Sequence, residues 1–380
     1  MSDLFTLQCE SVVVKSKIRE FREDAGFTQA GLAKAVSISR QAYAAIEAGR
    51  SVPSTEAALR LARALHTSVE DLFQLGDDAG STVQAELVGT SGSVPEGSRM
   101  QLIQFGSRRL AYPMKEGASV SHMFNPADGI VVASRGTRQV DLRLLDESAT
   151  KTQTIVLAGC DPATSILSHM IQDLRIRLVW IEEESMPALH ALARGEIHVA
   201  GCNFKDPASG VYNVPLVKEI VPFPCTIVRF AVWRHGIMVN EGNPKSIKNV
   251  ADLVRPNVTF INRRPGAGSR GLLNRLLKEA RISADDIHGY DKAVNGHLAA
   301  AETVAAGLAD CGIGIEAAAR ANELDFSPLN EEPYDLVIPN HFMNTTAVQV
   351  LLDLLKSINL RRQIESLGGY DGSLMGASIS

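Results

Sequence analysis

Three features of the 380-residue sequence predict a multidomain chain: an all-α five-helix domain, a small β segment, and an α/β two-lobed domain. The first is a run of short, capped, amphipathic repeats between about residues 15 and 75. The second is the stretch Thr28–Arg50, TQAGLAKAVSISRQAYAAIEAGR, which reads as two short helices joined by a tight turn. The third is a regular alternation of β-rich and helical runs from Thr154 onward, with short connections.

Residues 1–14 read as a frayed lead or a short extended arm. From Lys15 a helix runs through Ile18, Phe21 and Arg22 and stops at Gly26. Thr28 is an N-cap, and Leu32, Ala33 and Val36 fall on one face of the helix it starts. Ser37-Ile38-Ser39 breaks that pattern. Ser39 caps the next helix, whose expected buried stripe is Ala42, Tyr43 and Ile46, and Gly49 stands at its C′ position. Pro53-Ser54 opens a fourth helix with Ala58, Leu61, Ala62 and Leu65 inward. Ser68 caps a fifth that ends near Phe73. Two helices joined by a three- to four-residue turn form the geometry that sets the second in a DNA major groove.

Gln29, Leu32, Ala33, Val36, Ser39, Ile46, Glu47, Gly49, Pro53 and the closing Leu72-Phe73 together resemble the DNA-binding domain of the phage-repressor (Cro/C1, XRE-type) helix-turn-helix family. The sequence departs from that pattern at Ser37, where the family usually carries glycine, and serine tolerates a positive φ poorly. The resemblance implies a DNA-facing set of Gln29, Lys34, Ser39, Arg40, Gln41 and Arg50. Local chemistry suits these roles. Gln29 at a helix N-terminus can donate to a phosphate. Arginine can read guanine O6/N7 and glutamine adenine N6/N7, so Arg40 and Gln41 carry the expected base reading. Lys34 and Arg50 are placed for backbone contacts. The partner implied is double-stranded operator DNA, read by a homodimer or a higher homo-oligomer, because one such unit covers only a half-site.

Whole-chain properties bound the alternatives. The net charge of −5 leaves no global polyanion-binding signature, so any nucleic-acid surface is local. The five cysteines (Cys9, Cys160, Cys202, Cys225 and Cys311) are scattered with no CxxC pair, which argues against a disulfide framework or a structural zinc and suits a reducing cytoplasm. The N-terminus lacks a basic region followed by an apolar run, so no signal peptide is expected. No apolar run approaches about 18 residues, so no membrane span is expected. Neither a metal nor a cofactor is expected.

The expected domains are 1–75 for the helical unit, 76–99 for a Gly/Ser/Asp-rich linker with one short strand near Gln84–Val88, 100–150 for a small β-rich connecting segment, and 151–380 for the α/β domain. Within the last, strands are expected at Ile155–Ala158, Arg177–Ile181, Ile197–Ala200, Val258–Ile261, Cys311–Ile313 and Leu336–Pro339, in parallel sheets covered by helices. One of those helices is expected over Ala293–Gly307. The apolar stretch Val221–Val239 is too long for one ordinary strand and reads as a segment crossing between two lobes.

Ligands of open α/β sheets bind beyond the carboxyl ends of the strands. Gly159-Cys160-Asp161-Pro162, Glu184-Ser185-Met186, Gly201-Cys202-Asn203 and Asn262–Arg270 sit there. The last combines glycines, a serine at a helix start and Arg263, Arg264 and Arg270, which suits an anion. It is neither a Walker loop nor a dinucleotide fingerprint.

The motifs GCDPA, MPALHALARGEIHVAGCNFKDPASGVYN, NRRPGAGSRGLL, the HLAAAETVAAGLADCGIGIEAAA run and LDFSPLNEEPYDLVIP resemble the periplasmic-binding-protein-like domain of bacterial regulators related to molybdate-binding proteins. This resemblance implies a type II periplasmic-binding-protein-like fold that closes on a small ligand. It points to Asp161, Ser185, Asn203, Arg263, Ser269, Arg270 and His297 as ligand residues. Together the two resemblances imply a ligand-responsive transcriptional regulator, not an enzyme, with no catalytic residue. The ligand is a small anion: molybdate or tungstate, or a small organic acid. The alternative is an enzyme on the two-lobed fold with the helical unit as a regulatory appendage, using Cys160 or Cys202 as nucleophile and His297 as base.

Overall fold

The computed structural model describes residues 13–76, 81–89, 93–114, 126–145 and 152–379. Of the arm expected over 1–14, residues 1–12 lie outside the described residues, as do Cys9 and part of the 76–99 linker. The chain divides into two compact units, Met1–Val83 with Asp141–Glu147, and Gln84–Val140 with Ser148–Ser380.

In the first unit, helices α1 (Ile18–Asp24), α2 (Gln29–Ala35), α3 (Arg40–Glu47), α4 (Thr55–Ala64) and α5 (Val69–Leu72) bury Ile18, Leu32, Tyr43, Leu61 and Leu72 in one core. The caps fall where local chemistry puts them. The hydroxyl oxygens of Thr28, Ser39 and Ser54 accept from the amides of Gly31, Ala42 and Ala57 at 3.0, 3.1 and 3.2 Å. Ser68 and Asp71 form a capping box. Two details differ from the sequence expectation. Strand β1 (Val13–Ser16) pairs antiparallel with β2 (Phe73–Gly76), so the first helix begins at Ile18 and not at Lys15. Ala42 is exposed, because the inward stripe of α3 runs through Tyr43 and Ile46 and leaves the preceding position on the outer face with Arg40 and Gln41.

Both helices of the central pair end in the same way. Past α3, Gly49 at φ +68° lets its own amide reach the Ile46 carbonyl and the Arg50 amide reach Ala45 at 2.8 Å. Past α2, Ser37 occupies the equivalent place at φ +60°, with Ser37 N–H on Lys34 and Ile38 N–H on Ala33. A side chain in this conformation costs roughly 1–2 kcal/mol, offset in part by the entropy that glycine loses on folding. Ser37→Gly is therefore expected to stabilise the helical unit by about 0.5–1 kcal/mol, read as slower amide exchange across α2 and α3.

Strands β3 (Thr82–Leu87), β4 (Arg99–Phe105), β5 (Arg108–Pro113), β6 (Gly129–Arg135) and β7 (Gln139–Leu144) close into a barrel of order β3-β5-β4-β6-β7. The β4–β5 hairpin turns at Gly106-Ser107, with Phe105 opposite Arg108. The barrel therefore takes in a strand that falls within the expected linker. Its residues Ile103, Leu110 and Tyr112 share a core with Val179, Leu189, Leu192 and Ile197 of the α/β domain. Polar contacts pin the same face: Arg108 donates to the Gly195 carbonyl at 3.1 Å, Arg177 pairs with Asp128 at 2.7 Å, and the Tyr112 hydroxyl donates to the Glu196 carbonyl.

The α/β domain is one sheet shared by two lobes. In the first lobe β8 (Thr154–Gly159) pairs in parallel with β9 (Arg177–Glu182) and β10 (Val199–Cys202). Between these strands lie α6 (Thr164–Gln172) and α7 (Ser185–Ala193), and α8 (Val214–Ile220) follows β10. Then β11 (Cys225–Val239) runs across into the second lobe, as the length of its apolar stretch requires. There β12 (Phe260–Arg263), α9 (Gly268–Ala280), β13 (Ala293–Val294), α10 (His297–Ala305), β14 (Cys311–Ile315) and α11 (Glu316–Ala321) follow in order. The helix expected over Ala293–Gly307 thus starts only at His297, after a short strand and Gly296 at φ +78°.

Strand β15 (Asp325–Pro339) returns antiparallel to β11 over its whole length, with register shifts between Arg229 and Ala231 and between His235 and Gly236. The sheet order is β13-β12-β14-β11-β15-β10-β8-β9. It is therefore mixed and not parallel throughout: the chain crosses out and back, so its two crossing strands must run in opposite senses. Helices α12 (Thr346–Leu355) and α13 (Ile358–Glu365) pack on the first lobe, and β16 (Tyr370–Asp371) and β17 (Ser378–Ile379) add to β11.

Candidate functional sites

On the helical unit, Arg40 and Gln41 are exposed in the first turn of α3, with Lys34, Ser39 and Arg50 exposed beside that helix or just past its end. Gln29 is only half-exposed. Its side-chain nitrogen donates to Glu47 at 3.1 Å, so one of its two N–H groups is already used within the fold. Glu47 is the hub of this corner. Arg22 of α1 reaches it with Nε at 3.0 Å and Nη2 at 3.1 Å, while its Nη1 donates to the Phe27 carbonyl at 2.9 Å. Burial alone would raise the Glu47 carboxyl, but the bonds from Arg22 and Gln29 hold it down at about 2. The negative charge of Glu47 is thus neutralised from behind, and the exposed cations of α2 and α3 keep their field.

In the α/β domain the strand ends of both lobes meet where β11 and β15 cross. The first lobe contributes Asp161, Glu184, Ser185 and Asn203, and the second Arg263, Ser269 and His297; each is at most 3% exposed. The crossing strands contribute Trp233, His235, Glu332 and Tyr334, all buried. Asp161 accepts from Trp233 Nε1 at 3.0 Å, Tyr370 Oη at 2.6 Å and the Ala163 amide at 2.8 Å. Burial still raises its carboxyl to about 6. The Ser185 hydroxyl oxygen accepts from the Asn203 amide at 3.0 Å, and the Asn203 side chain donates to the Pro333 carbonyl at 2.9 Å.

The lobes touch closely. A Cβ on Gly268 would lie 1.9 Å from the Asn203 carbonyl oxygen, so only glycine lets the start of α9 approach the end of β10. A Cβ on Gly201 would lie 1.7 Å from the Tyr334 hydroxyl oxygen, which sits in a slot between Gly159 and Gly201.

The three arginines of the Asn262–Arg270 stretch do not form one cationic fork. Arg264 is exposed. Arg270 lies over the Tyr290 ring at 4.6 Å and donates to the Arg263 carbonyl at 3.0 Å, because its place in the first turn of α9 turns it toward the β12 end. Arg263 alone is fully buried at the junction, and its charge is met by Glu184 of the other lobe.

Sequence reasoning missed Glu184 as a partner of Arg263. It also missed a relay through the crossing strands. Ser269 Oγ is 3.1 Å from His235 Nε2, and His235 Nδ1 is 2.9 Å from Glu332 Oε2. Burial opposes charge on Glu332, but His235 and Arg275 bring its carboxyl down to about 2. An ionised Glu332 accepts from His235 Nδ1–H, and the other ring nitrogen, Nε2, faces the Ser269 hydroxyl. Glu332 is held in turn by Arg275 and Tyr212, each at 3.0 Å.

The thiols singled out by sequence have different surroundings. Cys160 Sγ is 3.7 Å from His297 Nε2. Burial, reinforced by Glu184, keeps that thiol protonated, while burial and the charge of Arg263 keep His297 neutral. Burial likewise holds the Cys202 thiol protonated. Among the described residues no cluster of His, Cys, Asp and Glu has metal-holding geometry, and no helix is long and apolar enough to cross a membrane.

Comparison with known proteins adds two matched families. A helix-turn-helix family matches residues 18–72, and a PBP superfamily domain matches residues 168–356. The chain is 32% identical over 230 residues to the uncharacterized protein YvgK of Bacillus subtilis, covering 59% of this chain and 73% of that one. It is 38% identical over 65 residues to the uncharacterized HTH-type transcriptional regulator YgzD of the same organism, covering 17% of this chain and 98% of that one. Among solved structures, the sulfate-binding protein SubI from Mycobacterium tuberculosis aligns with a TM-score of 0.45 at 15% identity, covering 57% of this chain and 86% of that chain.

Proposed function

Because the chain belongs to the XRE-type helix-turn-helix regulators that carry a periplasmic-binding-protein-like domain, we propose that it is a one-component, ligand-responsive transcriptional regulator. A small anionic ligand binds between the two lobes. Closure on it changes the disposition of paired helix-turn-helix units, and operator affinity changes with it. The observation that carries this reading is Arg263: a fully buried guanidinium at the lobe junction, whose Nε and Nη1 have no hydrogen-bond partner of normal geometry among the described residues. Buried donors of that kind are rare in a finished core and fit a group that receives a ligand. In this reading Gln29, Lys34, Ser39, Arg40, Gln41 and Arg50 meet DNA, and Asp161, Ser185, Asn203, Arg263, Ser269 and His297 surround the ligand, with Arg270 supporting Arg263.

The test uses the full chain and a duplex selected from a random-sequence pool. Affinity for that duplex is measured with molybdate, sulfate, phosphate and small carboxylates added in turn. One of these anions is expected to change the dissociation constant at least fivefold, and Arg263→Gln to remove the response while leaving basal DNA binding intact. A response that survives in Arg263→Gln sinks the assignment.

The Ser269–His235–Glu332 relay favours a second reading, hydrolysis of a bound acyl ester with Ser269 as nucleophile. A fluorophosphonate probe separates the two. The regulator reading expects no labelling of Ser269, and stoichiometric labelling lost in His235→Gln would support the enzyme.

A further inference from the structure

The carboxylate of Glu184 sits on Arg263 in an unusual way. Nη2 alone serves both oxygens, at 2.8 Å to Oε1 and 3.0 Å to Oε2, while Nε and Nη1 stay buried with no hydrogen-bond partner of normal geometry among the described residues. The Gly296 amide adds a third contact, 3.4 Å from Oε1. Glu184 is the N-cap residue of α7 in the first lobe, and Arg263 and Gly296 belong to the second. The chain's own carboxylate thus crosses the junction and lands on Arg263, which is fully buried, without using the paired edge that a guanidinium offers a carboxylate.

A second orphan lies one residue from the Gly296 amide. Asn295 Oδ1 is buried with no hydrogen-bond partner among the described residues. Its Nδ2 donates to the Glu182 carbonyl at 3.2 Å, and that bond fixes the amide orientation, so the unmet atom is an acceptor. Donors on Arg263 and an acceptor on Asn295 therefore flank the place where the Glu184 carboxylate rests.

Building on the reading of the junction as a ligand site, we infer that Glu184 is an internal occupant of the position for a ligand carboxylate. The ligand is a small organic acid with a hydroxyl or ammonium donor beside that carboxylate. On binding, its carboxylate takes the place of Glu184 on Arg263, and its donor meets Asn295 Oδ1. A planar monoanion fits better than a tetrahedral dianion for two reasons. The group the chain itself places there is planar. The carboxylates of Glu184 and Glu182 already act on Arg263, and those of Glu184 and Asp161 on the neighbouring Cys160, so a second negative charge on the ligand would meet their repulsion. A site held by its own side chain binds with an affinity reduced by the fraction of molecules in which it is free.

The experiment is calorimetric titration of the full chain with glycolate, glycine, acetate, sulfate and molybdate, in the wild type and in Glu184→Gln and Asn295→Ala. Glu184→Gln keeps the shape and removes the competing charge, so glycolate or glycine is expected to bind at least tenfold more tightly. Asn295→Ala is expected to erase the preference over acetate and to leave acetate itself unchanged. The two ligands also distinguish a hydroxyl from an ammonium donor. If Glu184→Gln does not fold, Glu184→Gly is used, and acetate must raise its melting temperature more than sulfate at equal ionic strength.

Unchanged or weaker carboxylate binding in Glu184→Gln, or failure of that rescue, overturns the inference. If sulfate or molybdate binds through Arg263 while carboxylates do not, the inference fails and the interlobe ligand site stands. If none of the five binds any variant, both fail.

Discussion

Arg22→Ala is expected to destabilise the helical unit by about 3–5 kcal/mol and to abolish DNA binding at ordinary temperature, because it leaves the Glu47 carboxylate buried without its cation. The side chains of this pair are only 11% and 7% exposed, so solvent screens it little. A loss of that size is a large share of the roughly 5–15 kcal/mol that stabilises a typical domain. Hydrogen exchange of α2 and α3 amides in the full chain measures it locally, since a multidomain chain does not unfold in one step. The double change Arg22→Met, Glu47→Met is expected to recover most of the loss, because apolar side chains of similar volume can replace a buried pair.

The same pair sets an acid limit. Glu47 is held at about 2, below the ordinary glutamate value of roughly 4.3. Its contribution is complete above the unfolded-state value and is lost as pH falls through the folded one. Protection of α2 and α3 is therefore expected to hold from neutral pH down to about 5 and to decline between about 4 and 2. In Glu47→Gln that decline should be much reduced.

What could be read from the sequence follows from distance along the chain. The caps at Thr28, Ser39, Ser54 and Ser68 and the turn glycine Gly49 are local chemistry, each settled within four residues, and they were legible. So was the tension at Ser37, whose positive φ follows from the helix ending that glycine usually supplies. The length of β11 announced a strand crossing two lobes. The partners that define the junction were not legible. Arg263 and Glu184 are 79 residues apart, Ser269 and His235 are 34, and His235 and Glu332 are 97. Their meeting depends on the register of β11 against β15, where Trp233 faces Glu332 and His235 faces Asn330, and on how closely the strand ends of the two lobes approach. A run of three arginines looked like one cationic site, whereas the fold sends Arg264 to solvent and Arg270 to Tyr290 and buries only Arg263.

The double variant Arg40→Ala, Gln41→Ala is expected to lose about 2–6 kcal/mol of operator affinity, since each side chain aligned with a base edge contributes about 1–3 kcal/mol of discrimination. Both residues are exposed in the first turn of α3, one and two positions past the Ser39 cap, so neither change disturbs the core or the cap. The folded state should be indistinguishable from the wild type by circular dichroism. Anisotropy titrations on the selected duplex and on a scrambled duplex, at three salt concentrations, separate the two kinds of contact. In the double variant the specific complex should weaken by a factor of about 30 to 20,000, while binding to the scrambled duplex changes only by the loss of one positive charge. Lys34→Ala, which alters an exposed cation on α2, should instead weaken both duplexes alike and make the salt dependence shallower by about one contact. With Glu47 already neutralised by Arg22, the exposed cations Lys34, Arg40 and Arg50 carry this local field in a chain of net charge −5. Binding should therefore fall steeply with salt despite the acidic whole. Sequence-specific binding that persists in the double variant would move base recognition away from α3.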